Sequence, residues 1–223
     1  MTKKIIIRSF ILLISLVLIS GAIIYYLLFI ASENTKSVYY PMSPKEQSIL
    51  QNGDIIMRQG YGFFSRTIVK LQKCDYPVTH CGMIQLDSLN RPWVIHSLSS
   101  SVSENDGIQI EPLQKFLNES VPHTVFVSRF KGEDTIRNQL IERANYYLTK
   151  KVPFDHSFDK ADTNEMYCTE LFYHIFTDVL QYDIFEKQFQ QNTTGIYDLT
   201  TFLDPEHFEL IVNHSPQVKR KNQ

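Results

Sequence analysis

Three residues of types that act together in nucleophilic catalysis are spread through the sequence: Cys168, His80 and His96. A cysteine attacks a carbonyl carbon as its thiolate, and a neighbouring histidine can act as the general base that takes the thiol proton. A second polar residue, the orienter, can hold that histidine in one tautomer. These residue types therefore predict nucleophilic catalysis by a cysteine, provided that the fold brings them together.

The position of Cys168 favours this chemistry but does not decide it. The apolar spacing predicts a helix from Tyr167 to Leu180, with Cys168 in its first turn. The exposed backbone N–H groups and the dipole of a helix N-terminus stabilise a thiolate. A free cysteine is also among the most buried residue types, so an inert core position is an equal alternative on these grounds.

The two histidines fall on two successive predicted strands, residues 78–86 and 93–98. Alternation places His80 and Gly82 on one face of the first strand and Cys81 on the other, where Cys81 is expected to pack inward. A hairpin would bring His96 beside His80 as its orienter. A lone histidine on a strand is more often a hydrogen-bonded structural residue, so this assignment depends on the pairing.

The other cysteines leave two questions open. Cys74 and Cys81 can pair in a disulfide only if the chain turns between them, and the odd number of cysteines leaves a free thiol in any case. A metal site made of Cys74, His80 and Cys81 lacks a paired short motif and a fourth ligand. No metal and no cofactor are therefore predicted.

The remaining pattern predicts an α+β domain with a largely antiparallel sheet. Ser43 is predicted to cap a short helix that Gly53 ends, and a long amphipathic helix is expected over residues 134–150. Further helices are predicted over 63–73 and 111–118, and further strands over 54–58, 123–129 and 207–212.

The N-terminus predicts a membrane anchor. Phe10 to Ala31 carries no charge, and its roughly 22 residues would form a helix of about 33 Å. Lys3, Lys4 and Arg8 precede it, so the N-terminus is expected in the cytoplasm and the domain outside. A cleaved secretory signal is the alternative. The predicted units are residues 1–31 (anchor), 32–43 (linker), 44–214 (catalytic domain) and 215–223 (polar tail).

The bulk composition limits the class of partner. The chain has 223 residues and a formal net charge of -2, and its longest basic run is the short tail Lys219–Lys221. Nucleic-acid binding usually requires a basic face or stripe. Nucleic acid is therefore not an expected partner.

Several blocks of the sequence together resemble one family, the YiiX/YaeF/YebB-like permuted papain-like cysteine hydrolases of the NlpC-type superfamily. The resemblance covers roughly residues 45–212, and histidine precedes cysteine, as in the permuted form. The blocks that carry it are Gly53–Ile56, Ser65 with Ile68, Thr79–Gly82, Val94–His96, Val152–Asp155 and Tyr167–Leu171.

The resemblance implies a papain-like fold and cleavage of an amide or ester through a thioester. Cys168 matches the nucleophile and His80 the general base. His96 takes the third polar position, where many permuted members carry glutamate. Tyr167 matches a tyrosine that helps polarise the scissile carbonyl, and the Cys168 backbone N–H is the second expected oxyanion donor.

The sequence thus predicts a membrane-anchored hydrolase that acts outside the cytoplasm on an amide bond in a cell-wall or other envelope peptide. A lipid acyltransferase or esterase that uses the same Cys–His site is one alternative. A catalytically silent binding module is the other.

Overall fold

A computed structural model of the protein describes residues 2–26, 37–72, 76–160, 163–189 and 196–215. The helices are α1 (Thr2–Tyr25), α2 (Pro44–Ser48), α3 (Gly62–Gln72), α4 (Leu113–Asn118), α5 (Asp134–Lys150), α6 (Cys168–Leu180) and α7 (Glu186–Phe189), with a 3-10 turn at Leu199–Leu203. The strands are β1 (Ile55–Arg58), β2 (His80–Leu86), β3 (Pro92–Leu98), β4 (Gly107–Pro112), β5 (Phe126–Phe130) and β6 (Phe208–Asn213).

The six strands form one antiparallel sheet in the order β4-β3-β2-β1-β5-β6. The fold combines helices with this one sheet, which confirms the predicted α+β class. The sheet is covered on both sides, so β1 and most of β2 are buried whichever way a side chain points.

Two apolar cores lie on the two faces of the sheet. The face that α5 and α6 cover, here called the α6 face, carries Met57, Cys81 and Ile95. The opposite face, here called the α4 face, carries Ile84 and Val94 and packs against α4. Each residue of β2 therefore belongs to one core or the other according to its parity.

The Gly53–Ile56 block is structural. Gly53 has a φ of 84°, a conformation that glycine adopts readily. The buried Asp54 carboxylate accepts hydrogen bonds from Arg129 Nε at 2.7 Å and from the Gln51 backbone N–H at 2.8 Å. This ion pair ties the start of β1 to β5 and so fixes the centre of the sheet.

The sequence did not predict β4, and the helix expected over residues 111–118 begins only at Leu113. Glu111 lies on the strand instead, opposite Val94 of β3. The Ile108 backbone N–H donates to the Val152 carbonyl at 2.9 Å, and Gly107 has a φ of 91° at this close approach. Pairing with β3 and with the segment before α6 stabilises this strand, and both partners are distant in sequence.

At the N-terminus, residues Ile7–Tyr25 of α1 are long and apolar enough to cross a membrane, and their side chains are exposed. A signal sequence passes the same test of length and composition. The last part of the predicted anchor, residues 27–31, lies outside the described part of the chain.

Candidate active site

Helix α6 begins at Cys168, one residue after the predicted start at Tyr167. The Tyr167 backbone N–H donates to the Glu170 carboxylate at 3.3 Å, and the Leu171 N–H donates to the Tyr167 carbonyl at 3.1 Å. Glu170 is fully buried and caps the helix from its third position. The role of Glu170 is therefore structural.

The segment before Cys168 is held from two sides. Ser97 on β3 donates its hydroxyl to the Met166 carbonyl at 2.6 Å, and the Met166 N–H donates to the Pro153 carbonyl at 2.9 Å. Both bonds are made two residues before the cysteine. The sulfur position is therefore set by β3 and by the Val152–Asp155 block together.

The side chain that shifts the pKa of Cys168 most is the thiol of Cys81 on β2, which belongs to the core against which Cys168 packs. Donation from the Cys81 thiol lowers the pKa of Cys168; burial opposes this, and the backbone N–H groups of Thr169 and Cys81 add to the lowering. Burial raises the pKa of Cys81 well above its usual range, and the contact with Cys168 raises it further. Of these two thiols, Cys168 is therefore the one that loses its proton more readily.

The two histidines bond to each other. His80 Nε2 lies 2.9 Å from His96 Nδ1, so one of these nitrogens carries the proton, and both rings pack against Phe116 of α4. The predicted hairpin contact between His80 and His96 is confirmed. Burial, then the nearby Arg58 guanidinium, lowers the pKa of each imidazole well below its usual range, so both rings are neutral near pH 7.

Charged residues that the sequence analysis did not single out surround this pair. Glu111 Oε1 lies 3.5 Å from His96 Nε2, and its other oxygen lies 3.1 Å from Lys115 Nζ. Arg58 pairs with Glu119 at 3.0 Å and stacks 4.2 Å above the Phe116 ring centroid. This cluster could not be predicted from the spacing of the charged residues along the chain, because β4 and α4 bring them together only in the folded state.

The structure does not join Cys168 to the histidine pair. His80 and Cys81 are consecutive on β2, so their side chains point to opposite faces. Cys81 packs inward as expected, in the core that Cys168 also contacts, whereas the imidazoles lie on the α4 face. No hydrogen bond links Cys168 to His80 or His96 in the described arrangement, and their roles in catalysis stay predictions.

Tyr167 lies directly beside the cysteine but is almost fully buried. Its hydroxyl oxygen accepts a hydrogen bond from the Tyr197 backbone N–H at 3.2 Å, and its ring lies 5.2 Å from that of Phe158. Burial raises the pKa of this phenol, so the hydroxyl keeps its own hydrogen as a donor. Its proposed action on a substrate carbonyl stays a prediction.

Asp155 orders the loop before α6. One oxygen of this buried carboxylate accepts hydrogen bonds from the Ser157 N–H and hydroxyl, both at 2.7 Å, and from the Phe158 N–H at 2.9 Å. These bonds hold Phe158 at a φ of 55°, a backbone conformation that residues other than glycine rarely adopt. The role of Asp155 is therefore structural.

Metal binding finds no support in the described ranges, where no three His, Cys, Asp or Glu side chains are grouped as ligands. Cys81 is a free thiol. Cys74 lies outside the described residues, so the disulfide with Cys81 and the metal site that would include Cys74 stay untested.

Comparison with known proteins identifies this arrangement of strands and helices. A sequence model of the family "Permuted papain-like amidase enzyme, YaeF/YiiX, C92 family" matches residues 49–209. The crystal structure of metalloprotein yiiX from Escherichia coli O157:H7 is similar in fold, with a TM-score of 0.57 and 16% identity over 74% of this chain and 98% of that chain. No curated protein matches this chain.

Proposed function

Because the chain belongs to the family of permuted papain-like amidases, we propose that it hydrolyses an amide bond with Cys168 as the nucleophile. The observation that carries this proposal is the position of Cys168, which is the first residue of α6 and follows a segment held by hydrogen bonds to Ser97 and Pro153. Backbone N–H groups at a helix N-terminus and a donating thiol both favour the anion, which is the reactive form of cysteine.

The proposed reaction proceeds in two steps. The Cys168 thiolate attacks the amide carbon, and the backbone N–H of Cys168 and the Tyr167 hydroxyl stabilise the developing oxyanion. The amine leaves with a proton, and water then hydrolyses the resulting thioester. The proton that the leaving nitrogen takes up is the one that a base first accepts from the Cys168 thiol, and in the second step the same base takes a proton from the attacking water and returns it to the Cys168 sulfur.

We assign the proton transfers to His80, with His96 as its orienter. A neutral imidazole is the form that accepts a proton, and the 2.9 Å contact with His96 restricts the tautomer of His80. In the described arrangement, the residue of β2 that acts on the pKa of Cys168 is Cys81 and not His80. His80 and Cys81 are adjacent in sequence but occupy opposite faces, so separate substitutions distinguish their contributions.

The chemical test uses the detergent-solubilised full chain with two substrate panels, envelope-type peptide amides and glycerolipid esters. We expect release of amine from a peptide, and added hydroxylamine should divert the acyl group to a hydroxamate because it attacks the thioester in place of water. Mass spectrometry of the products measures both. Turnover of the lipid esters alone would replace the amidase assignment by an esterase, and no turnover with either panel would favour the binding module.

We also propose that α1 anchors the catalytic domain outside the cytoplasm. The basic residues before the apolar stretch and the exposed apolar surface of α1 support this orientation. A reporter that is active only after export, fused behind residue 215, should therefore be active. The same fusion with Lys3, Lys4 and Arg8 changed to Glu is the control and should lose activity. An inactive wild-type fusion would place the domain in the cytoplasm.

A further inference from the structure

We propose that Glu111 is a positioning residue that fixes the tautomer of the His80–His96 pair, so that Nδ1 of His80 carries the free lone pair. The proposal rests on the proposed role of His80 in proton transfer. It gives a task to a buried carboxylate and names the nitrogen of His80 that acts as the base.

The register of the sheet places Glu111 beside the histidine pair. Glu111 on β4 is opposite Val94 on β3, and His96 follows Val94 by two residues. Residues two apart on a strand point to the same face, so Glu111 and His96 both lie on the α4 face. Glu111 Oε1 is 3.5 Å from His96 Nε2, and His96 Nδ1 is 2.9 Å from His80 Nε2. The three side chains therefore form a continuous row across β4, β3 and β2.

Burial leaves Glu111 and His96 to satisfy each other. His96 is fully buried and Glu111 is 3% exposed. Within the described part of the chain, neither His96 Nε2 nor Glu111 Oε1 has any other hydrogen-bond partner. Buried polar atoms are almost always paired, and a small rotation of the Glu111 side chain would shorten the 3.5 Å separation to that of a hydrogen bond. The contact therefore decides how His96 places its proton.

The charged neighbours of Glu111 favour its ionised form. Lys115 Nζ lies 3.1 Å from its second oxygen, and the Arg58 guanidinium stacks on Phe116 in the same cluster. Burial, and then the Glu119 carboxylate, raises the pKa of Glu111, whereas Lys115 and Arg58 lower it. The two positive charges thus support the carboxylate, which can only accept hydrogen bonds.

An accepting carboxylate fixes the direction of every hydrogen bond in the row. Both imidazoles are neutral, so each ring has one donor and one acceptor nitrogen. Because Glu111 accepts, His96 carries its hydrogen on Nε2, and its Nδ1 accepts in turn from Nε2–H of His80. The lone pair of His80 is then on Nδ1, which in the proposed reaction takes the proton of the Cys168 thiol and passes it to the leaving amine. A protonated Glu111 would reverse the row and place a hydrogen on that nitrogen.

The central experiment uses nitrogen NMR of the full chain in detergent micelles, with isotope-labelled histidine, to tell protonated from unprotonated ring nitrogens near neutral pH. Spectra of His80→Gln and His96→Gln assign the signals. The wild type should carry hydrogens on Nε2 of both rings. Glu111→Gln should give signals of both tautomers, because its amide can donate as well as accept. Its kcat should fall about tenfold to hundredfold with KM nearly unchanged, as expected when an orienting group is lost.

The matched control is Glu119→Gln, which removes the other carboxylate of this cluster. Glu119 pairs with Arg58 at 3.0 Å and not with an imidazole. This variant should keep the wild-type tautomers and most of the turnover. It separates the position of the Glu111 carboxylate from the loss of one negative charge.

Wild-type tautomers in folded Glu111→Gln overturn the proposal, as does a tautomer change that leaves kcat at the level of Glu119→Gln. If Glu111→Gln fails to fold by circular dichroism, the wild-type spectrum decides: hydrogens on Nε2 of both rings support the row, and a hydrogen on Nδ1 of His80 contradicts it. The tautomers are read without a substrate, so a failed amidase assay would count against the proposed function and leave this test intact.

Discussion

Substituting Cys168 by alanine should abolish amide hydrolysis, with a loss of more than about a thousandfold in kcat/KM. Alanine removes the sulfur that forms the thioester, and the stabilised thiolate has no replacement at the start of α6. Hydroxamate formation in the presence of hydroxylamine should disappear together with hydrolysis. The measurement is initial rate at saturating and at limiting peptide, with the melting temperature as the check on folding.

Two variants serve as controls for this result. Cys168→Ser keeps a nucleophilic oxygen of similar size but with a far higher pKa, so its activity should remain close to that of alanine. Cys74→Ala changes a cysteine outside the described residues and should retain turnover. Substantial hydrolysis by folded Cys168→Ala would refute its role as the nucleophile.

Substituting His80 by alanine should lower kcat by about a hundredfold to ten-thousandfold, the range expected for a general acid–base residue. Alkylation of Cys168 should stay near the wild-type rate, because His80 packs on the α4 face and makes no hydrogen bond to Cys168 in the described arrangement. Loss of turnover with retained alkylation would separate proton transfer from thiolate formation. His80→Gln, which preserves a hydrogen bond to His96, controls for damage to the buried cluster.

The pH dependence adds a second readout. The pKa of Cys168 is lowered from that of an ordinary thiol, so the thiolate is present above this lowered value and is lost as pH falls through it. The pKa of His80 lies well below its usual range, so this imidazole stays neutral over the same interval. Turnover should therefore rise with pH along the Cys168 alkylation curve. The control is His156→Ala, which changes an exposed histidine. If His80→Ala turned over substrate as fast as this control, His80 would have no part in the mechanism.

Much of the local structure could be predicted from the sequence because its signals are local. The helix over residues 134–150 has the predicted bounds, since its apolar residues keep the helical period throughout. The Ser43 cap is confirmed by a reciprocal pair of hydrogen bonds between Ser43 and Glu46. In contrast, β4 was missed because its stability comes from pairing with β3 and from the chain at Val152, which are distant in sequence.

For the candidate site, the sequence by itself determined which residues share a face. Alternation separated His80 from Cys81, and the hairpin brought His80 to His96. Only the tertiary structure decided which of these faces α6 covers. Since β2 is buried on both sides, its apolar pattern looks the same from either side and does not show where a helix nearly ninety residues later will pack. The helix packs on the Cys81 face, and so Cys168 contacts the core that contains Cys81 and not the face that carries the imidazoles.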